Sequence, residues 1–301
     1  MSFVWFGFIL YLSITVSCIR AQSQCEDGCV FPYNNITSAN YNQWPRNCST
    51  VCAKFEINKD TDLTESQLTE TFLNLKKLVG FVKVMSTGYE SMRFLAGLET
   101  MECDEGLASF FTCQLNYNMT EIGMINLTTS SCRIYIAVNN KMNRFNLPNL
   151  KVPVDQPRVI ISSFVLANDF CVKIEEMANF LADGNGHVLK LPTNGVYCNF
   201  TTSMNATGKV CGYENSTLSQ MEQGCVYVRG DVIVRSGDEQ FVDKLKTVKS
   251  IFGKLLINGT NLTDVLFLND LEVVADFKSN EVSIQVMFNP QLSNVVFPNL
   301  K

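Results

Sequence analysis

The C-terminal end of this chain repeats an earlier stretch, and this repeat constrains the fold more than any other feature. Residues 289–301 align without a gap on residues 139–151. Five positions are identical: Asn139/Asn289, Pro148/Pro298, Asn149/Asn299, Leu150/Leu300 and Lys151/Lys301. Three further pairs are apolar in both stretches: Met142/Leu292, Phe145/Val295 and Leu147/Phe297. A match with the apolar residues in phase predicts two copies of one module.

Length and charge limit the classes to which the chain can belong. Its 301 residues suffice for two domains at the usual size of roughly 100–200 residues each. The net charge of −5 excludes a nucleic-acid-binding protein held by a strong basic field.

The N-terminus has the pattern of a secretory signal peptide. Residues 3–16 form an apolar core followed by small residues, so cleavage is expected after Ser17 or Ala21. An uncleaved anchor is the alternative, but the apolar run is shorter than the roughly 20 residues that a membrane span needs. No later stretch is long and apolar enough to cross a bilayer, and the C-terminus lacks the tail of a lipid anchor. We therefore expect a soluble, secreted, extracellular protein.

Two further features favour the extracellular setting. The first is a set of nine glycosylation sequons, at Asn35, Asn47, Asn118, Asn126, Asn199, Asn205, Asn215, Asn258 and Asn261. The second is cysteine usage, which in an oxidising compartment indicates disulfides. The candidates beyond Ala21 are Cys25, Cys29, Cys48, Cys52, Cys103, Cys113, Cys132, Cys171, Cys198, Cys211 and Cys225. Their number is odd, so either Cys18 survives cleavage or one thiol is free.

A metal site is not expected. The pairs Cys25/Cys29 and Cys48/Cys52 have a spacing that zinc ligands also use. The chain has one histidine, His187, which lies far from them in sequence, and cysteines of secreted proteins are usually oxidised. We expect neither a metal nor another cofactor.

The first copy alternates like a set of short strands. Predicted strands cover Ala53–Ile57, Leu78–Val84, Leu98–Cys103 and Arg133–Val138, and a helix is predicted over Thr64–Leu75 behind a Thr64/Gln67 capping box. The inward face of these strands carries Phe55, Ile57, Val82, Val84, Ile134, Ile136 and Val138. Strands that recur every 20–30 residues with one apolar face are typical of a solenoid.

Residues 152–210 break this pattern, and a second copy follows. The spacer contains a predicted strand over Val159–Val165, a helix over Phe170–Leu181, and a turn at Asp183–Gly186 leading into the strand His187–Leu191. The second copy then repeats the order of events: a strand over Cys225–Val234, a helix over Asp238–Val248, and strands over Lys254–Ile257, Glu272–Phe277 and Val282–Phe288.

Together these motifs resemble the receptor L domain, which occurs in pairs in the ectodomains of insulin and epidermal growth factor receptors. The matching signals are the first strand of copy two from Cys225 to Val234, the Asn261-Leu-Thr-Asp-Val-x-Phe-Leu turn, the Leu271-Glu-x-Val strand and the Asn289-Pro-x-Leu exit. The chain is most similar to the insulin/EGF-receptor L-domain proteins expanded in nematodes.

The resemblance implies a mainly β fold of two leucine-rich right-handed β-helix (solenoid) L domains joined by an α+β spacer. The corresponding segments are a signal peptide over 1–21, a lead-in over 22–47, L domain 1 over 48–151, the spacer over 152–210 and L domain 2 over 211–301. For the disulfides we expect Cys211–Cys225, Cys171–Cys198, pairing of Cys25 and Cys29 with Cys48 and Cys52, and one thiol left over among Cys103, Cys113 and Cys132.

No catalytic constellation is present in the sequence, so we expect a protein that is not an enzyme. A Ser-His-Asp triad would depend on His187 in no recognisable motif, and acid pairs such as Glu175/Glu176 are typical of a solvated helix face. A carbohydrate-active enzyme on a β-helix remains the alternative of a different class.

A binding function follows from the expected geometry. The outward face of the first copy is predicted to carry Lys54, Glu56, Phe81, Lys83, Arg133 and Tyr135, a mixture that suits protein recognition. None of these strands contains a sequon, which predicts a glycan-free face. The alternative is that these are ordinary solvent-exposed strand residues.

What the resemblance implies is a partner of the insulin-like or EGF-like type, either a polypeptide ligand or its receptor, with the chain acting as a soluble decoy or co-receptor. An adhesion or matrix module unrelated to growth factors is the alternative within binding functions.

Overall fold

The computed structural model describes residues 25–103, 110–151, 161–181, 196–198, 203–205, 208–213, 217–276 and 282–301. The predicted turn at 183–186, the strand over 187–191 and the sequons at Asn199 and Asn215 lie outside these residues. The chain divides into two compact units, residues 1–170 with 187–192 (unit 1) and residues 171–186 with 193–301 (unit 2). Both units are mainly β, with few and short helices.

Unit 1 is organised around one eight-stranded sheet in which every strand pair is parallel. Its strands are β1 (Val30–Phe31), β2 (Thr50–Ile57), β3 (Lys77–Met85), β4 (Thr100–Glu102), β5 (Phe110–Gln114), β6 (Thr129–Ser130), β7 (Arg133–Asn139) and β8 (Ile161–Leu166). The main order is β1-β2-β3-β5-β7-β8, while β4 pairs with β3 and β6.

Unit 2 contains three smaller sheets. Its strands are β9 (Cys171–Val172), β10 (Val196–Tyr197), β11 (Ser203–Asn205), β12 (Gly208–Gly212), β13 (Cys225–Arg229), β14 (Val232–Arg235), β15 (Ser250–Phe252), β16 (Leu255–Asn258), β17 (Val273–Val274) and β18 (Ile284–Met287). The sheet orders are β10-β9, β11-β12-β13-β15-β17 and β14-β16-β18. Among the described strands of this unit, only β11 and β12 pair antiparallel.

The helices are shorter than the sequence predicts. In the described part of the chain two are α-helical, α1 (Glu65–Thr71) and α2 (Ile174–Leu181). The 3-10 segments are Tyr41–Gln43, Arg93–Leu95, Leu218–Gln220, Glu239–Leu245 and Leu266–Leu268. The helix predicted over 238–248 is present as the 3-10 segment Glu239–Leu245. The helix α2 begins later than predicted because Cys171 and Val172 pair with β10.

The start of α1 confirms the predicted capping box. The backbone N–H of Gln67 donates to the Thr64 hydroxyl over 3.2 Å, and the backbone N–H of Thr64 donates to the Gln67 side chain over 2.8 Å. The helix ends at Thr71 rather than at Leu75 because the chain must turn into β3, and the Asn74 side-chain amide donates to the carbonyl of Arg46 in that turn.

Successive strands stack in layers that a backbone ladder connects. In unit 1 each backbone N–H of the ladder donates to the backbone carbonyl of the preceding ladder residue over 2.8–2.9 Å. The donor and acceptor pairs are Lys76 and Ser49, Glu99 and Lys76, Thr128 and Glu99, and Lys151 and Thr128. In unit 2 the N–H of Lys249 donates to Val226, that of Glu272 to Lys249, and that of Lys301 to Glu272 over the same distances. Below, a layer means the stretch between two successive ladder residues.

This ladder changes the alignment of the two copies. From Lys76 onwards, successive ladder residues of unit 1 are 23, 29 and 23 positions apart. From Lys249 onwards, those of unit 2 are 23 and 29 positions apart. Lys301 is therefore equivalent to Thr128, and Asn289 to Asn116. The repeat visible in the sequence is displaced by one layer, because the layers that end at Lys151 and Lys301 share the sequence Pro-Asn-Leu-Lys. Within the described residues, unit 1 has one more layer, residues 129–151.

The turns after the strands also repeat. Ser86, Leu115 and Val138 in unit 1 and Gly259 and Phe288 in unit 2 all have φ between 53° and 67°. The predicted inward orientation of Val138 is wrong for this reason: the backbone reverses the alternation there, so that Ala137 and Asn139 are buried and Val138 is partly exposed. The predicted single strand over 225–234 likewise divides into β13 and β14 at Gly230 and Asp231.

The core is formed by the inward side chains of the layers. In unit 1 it includes an aromatic group in which the Trp44 ring lies 4.7 Å from Phe72 and 5.3 Å from Phe55, centroid to centroid. In unit 2 aliphatic residues such as Val228, Leu245, Ile251 and Leu255 fill the corresponding space and are fully buried.

Five disulfides agree with the expected pairings and fix the partners that the sequence left open. They are Cys25–Cys52, Cys29–Cys48, Cys103–Cys132, Cys171–Cys198 and Cys211–Cys225. Cys113 is the remaining thiol of the described residues and is fully buried. Burial raises its pKa to about 12, although the Asn116 and Asn139 side chains act in the opposite direction.

Candidate protein-binding face

The six residues predicted for the outward face lie on one side of the unit 1 sheet. The strand register joins them into two rows that run across the strands. One row is Glu56, Lys83, Thr112, Tyr135 and Ser162, and the other contains the pairs Lys54–Phe81 and Phe110–Arg133. Neighbouring strands lie about 4.8 Å apart, so the longer row extends over roughly 19 Å. We call Lys54, Glu56, Phe81, Lys83, Phe110, Thr112, Arg133 and Tyr135 the unit 1 face.

Cations on this face lie beside aromatic rings and a carboxylate. The Lys83 ammonium is 3.3 Å from the Glu56 carboxylate and 5.2 Å from the centre of the Phe81 ring. The Arg133 guanidinium lies 5.7 Å from the centre of the Phe110 ring. These contacts hold long side chains in place before any ligand arrives, which lowers the entropy cost of binding.

The charge of the face is opposite in sign to that of the whole chain. Three cations, Lys54, Lys83 and Arg133, accompany one carboxylate, Glu56, whereas the chain carries −5. Lys54 is exposed and the Lys83 side chain retains 30% of its accessible surface. The face therefore offers a positive, partly aromatic surface to an acidic partner.

Strand β5, which carries Phe110 and Thr112, was not predicted from the sequence. The signal was present in the alternation of Phe110, Thr112 and Gln114 with the buried Phe111 and Cys113. β5 lies between β3 and β7 and joins them into one sheet, because both pair with it.

One sequon borders the face, contrary to the expectation of a glycan-free surface. Asn35 forms a parallel bridge with Glu56 and so continues the longer row by one position. The sequence could not reveal this neighbour, because Asn35 lies in the irregular lead-in rather than in a predicted strand. A glycan on Asn35 would cover the Glu56 end of the face.

The equivalent surface of unit 2 has different chemistry. The pair Ile233–Leu256 takes the place of Glu56–Lys83 in the register, and Asp231 and Lys254 take the places of Lys54 and Phe81. The Asp231 carboxylate accepts a hydrogen bond from the Lys254 backbone N–H over 2.8 Å. The duplication has therefore preserved the layers but not the outward side chains, so recognition residues differ between the copies.

A pocket of about 380 Å³ in unit 2 bears on the enzyme alternative, because it contains two acids. It is lined by Lys249, Asp270, Glu272, Asn299 and Lys301. Burial raises the pKa of Glu272, but Lys301 at 2.9 Å and Lys249 at 3.3 Å outweigh it, so that the pKa lies below its ordinary value. A general acid of a glycosidase needs a raised pKa instead, so Glu272 does not have the property that such an acid requires.

The described residues contain no cluster of three or more His, Cys, Asp or Glu side chains that could hold a metal ion. No helix among them has the length and apolar character needed to traverse a membrane.

Parallel strands stacked in two related copies, disulfides and a mixed aromatic and charged face define a duplicated binding module of the extracellular type. The family model of the receptor L domain matches residues 47–146 and 224–301, more than half of the chain. The chain belongs to the receptor L domain family, whose members are receptor-like ligand-binding modules without enzymatic activity.

A relative in Caenorhabditis elegans supports this assignment. The chain is similar to protein irld-34, with 21% identity over 266 residues. The match covers 85% of this chain but 60% of the relative, so the chain spans about three fifths of the length of the protein it matches.

Proposed function

We propose that this chain is a secreted glycoprotein that binds an extracellular polypeptide through the unit 1 face, without catalysis. The proposed ligand is an acidic polypeptide of the insulin-like or EGF-like class, and the proposed role is that of a soluble decoy or co-receptor. In this proposal each copy is a right-handed β-helix, which turns the parallel strands of unit 1 into a continuous flat surface.

The single observation that carries the proposal is the order of the face. Aromatic and charged side chains lie beside one another across β2, β3, β5 and β7 in register and support one another by ion-pair and cation–π contacts. Tyr, Phe and Arg are also typical anchors of protein interfaces. A surface of ordinary solvated strand residues would need neither this order nor these contacts.

The test is an affinity measurement with purified full-length chain and a panel of secreted insulin-like and EGF-like peptides. We expect at least one member of the panel to bind, and the variant Phe81→Ala/Tyr135→Ala to weaken that binding by roughly 10-fold or more, as expected for central anchors. The control is Tyr117→Ala, which removes a 55% exposed aromatic ring outside the face.

Electrostatic attraction provides a second readout. The double variant Lys54→Glu/Arg133→Glu should slow association and reverse its dependence on salt, because the face then repels an acidic ligand and salt screens this repulsion beyond about 8 Å at physiological ionic strength. No binding of any peptide in the panel would reject the ligand class. Binding that persists in both double variants would reject the unit 1 face.

A further inference from the structure

The last layer of unit 2 exposes an apolar surface whose counterpart in unit 1 is covered. Leu292, Val295, Phe297 and Leu300 are equivalent to Met119, Ile122, Met124 and Leu127. The four unit 1 residues are fully buried. Of their unit 2 counterparts, Val295 is 47% exposed and the other three are partly buried.

Unit 1 shows what kind of structure covers this surface. Residues 129–151 lie over Met119 to Leu127, and their Met142, Phe145, Leu147 and Leu150 side chains are buried to 1% exposure or less. The backbone N–H of Ile122 donates to the carbonyl of Phe145 over 3.1 Å, and that of Asn143 donates to Thr120 over 3.0 Å. The cover is thus one more layer of extended, apolar polypeptide.

The strand edges differ in the same way. In unit 1, β5 pairs on its far side with β7, from Phe111–Ile134 to Gln114–Ala137. Its equivalent β18 is the last strand of the β14-β16-β18 sheet, with no partner beyond it among the described residues. None of its four side chains is charged, and no proline interrupts it, although natural edge strands commonly carry such features against strand addition.

The neighbouring exposed side chains enlarge the apolar patch. Phe288 is 81% exposed, Val296 52% and Met287 40%. Contiguous apolar patches of this kind on an otherwise polar surface mark interaction sites.

We propose that this end of unit 2 binds an extended segment of a partner polypeptide, which adds as a parallel strand beside Ile284–Met287. The segment has aliphatic side chains at alternate positions, as Ile134 and Ile136 do in β7, and an apolar stretch after the strand that covers Leu292, Val295 and Phe297. An asparagine at the end of the strand completes the match. In unit 1 the Asn139 side chain accepts a hydrogen bond from the backbone N–H of Asn116 over 2.9 Å, and Asn289 offers the equivalent N–H.

This site is separate from the unit 1 face and does not depend on its function. Strand addition supplies affinity through backbone hydrogen bonds and specificity through alternate side-chain positions. The partner is therefore defined by an alternating apolar strand pattern rather than by charge.

The probe is a fluorescein-labelled synthetic peptide with the sequence of residues 133–151, the layer that covers the equivalent surface of unit 1. We expect saturable binding to the full chain by fluorescence anisotropy, and at least 10-fold weaker binding to Val295→Asp. Leu266→Asp is the matched control, because Leu266 is a 54% exposed aliphatic residue of unit 2 in the preceding layer. A peptide carrying Ile134→Asp and Ile136→Asp should not bind.

Hydrogen exchange locates the peptide. We expect slower amide exchange at residues 284–289 when the peptide is bound. Equal binding to Val295→Asp and wild type would overturn the proposal, because the peptide would then bind elsewhere or replace its own counterpart in unit 1. Full protection of residues 284–289 without peptide, or a dimer that Val295→Asp dissociates, would also overturn it, since the surface would already be covered.

Discussion

Asn289 and Asn116 occupy the same position in the two copies and make the same hydrogen bonds. The Oδ1 atom of Asn116 accepts from the Thr87 backbone N–H over 3.0 Å and from its hydroxyl over 2.8 Å. Asn289 accepts from the backbone N–H and hydroxyl of Thr260, both over 2.8 Å. Each side-chain amide then donates over 3.0 Å to a carbonyl of the preceding layer, that of Val84 or Ile257. These contacts join consecutive layers at the turn after each strand.

Removing Asn116 should destabilise unit 1 more than removing Asn289 destabilises unit 2. Asn116 is fully buried, so Asn116→Ala leaves several polar groups without partners and should lower the free energy of unfolding by about 2–4 kcal/mol. Asn289 is partly exposed, so water can replace some of the hydrogen bonds that Asn289→Ala removes. We therefore expect the free energy of unfolding to fall by about 1–2 kcal/mol. Urea denaturation measures both, with the exposed Asn140→Ala as control. Equal effects of all three variants would contradict the proposed structural role.

Two equivalent glycines should tolerate no side chain. A Cβ atom on Gly80, whose φ is +130°, would lie 2.0 Å from the carbonyl oxygen of Ala53, and one on Gly253 would lie 2.4 Å from that of Gly230. Gly80→Ala and Gly253→Ala should therefore abolish secretion of folded protein or cost more than about 3 kcal/mol, because backbone atoms of the adjacent layer must move. Gly88→Ala is the matched control, since a Cβ there meets nothing within 4 Å. Normal secretion of Gly80→Ala would disprove the close approach.

The free thiol should be inert in the native protein. Cys113 is buried and its pKa is raised to about 12. At pH 8 almost no thiolate therefore exists, and a thiol reagent in solution cannot reach the sulfur atom. Ellman's reagent should detect this thiol only after unfolding, and Cys113→Ala provides the blank. Because the folded pKa exceeds that of the unfolded chain, the thiol favours the folded state below pH 9 and progressively less as the pH rises towards 12. Fast labelling without denaturant would contradict the burial.

The ion pairs of Glu272 should contribute to stability only when its carboxylate is ionised. Its pKa is lowered in the folded state, so its contribution is present at neutral pH and is lost as the pH falls below the ordinary carboxyl pKa. Lys249 and Lys301 are 52% and 39% exposed, so solvent screening limits the effect of Glu272→Gln to about 1 kcal/mol or less. The difference in urea midpoint from wild type should shrink between pH 7 and pH 3. A difference that grows on acidification would mean that the carboxyl pKa is raised.

A glycan on Asn35 should limit access to the unit 1 face. Asn35→Gln should increase the association rate of a ligand bound there, because the bridge to Glu56 places this sequon at the end of the longer row. Asn47→Gln is the control, because no β-bridge of the described residues joins Asn47 to the row that contains Glu56. This variant should leave the association rate unchanged. Mass spectrometry of the tryptic glycopeptides establishes whether Asn35 is occupied in the protein used. With Asn35 occupied, equal rates for wild type and Asn35→Gln would refute the effect.

The sequence alone determined the local features of this protein. Alternating residues in β2, β3 and β7 predicted the outward side chains, since successive side chains of a strand point to opposite faces. The Thr64/Gln67 box predicted the start of α1. The cysteine content predicted disulfides, but it left open which of Cys103, Cys113 and Cys132 would pair. These features depend on contacts between residues that are close in the chain, and such contacts can be predicted from the order of the residues.

Only the tertiary structure decided which layers correspond and what surrounds the candidate surfaces. Asn116, Asn139 and Asn289 all lie at or just after the end of a strand, so identity alone aligned Asn289 with Asn139, whereas the hydrogen bonds to Thr260 and Ile257 make it equivalent to Asn116. Phe110, Thr112 and Asn35 joined the face through strand pairings between residues distant in the chain. The exposure of Val295 likewise depends on whether another layer covers it, and this is a property of long-range packing that the sequence of one layer does not contain.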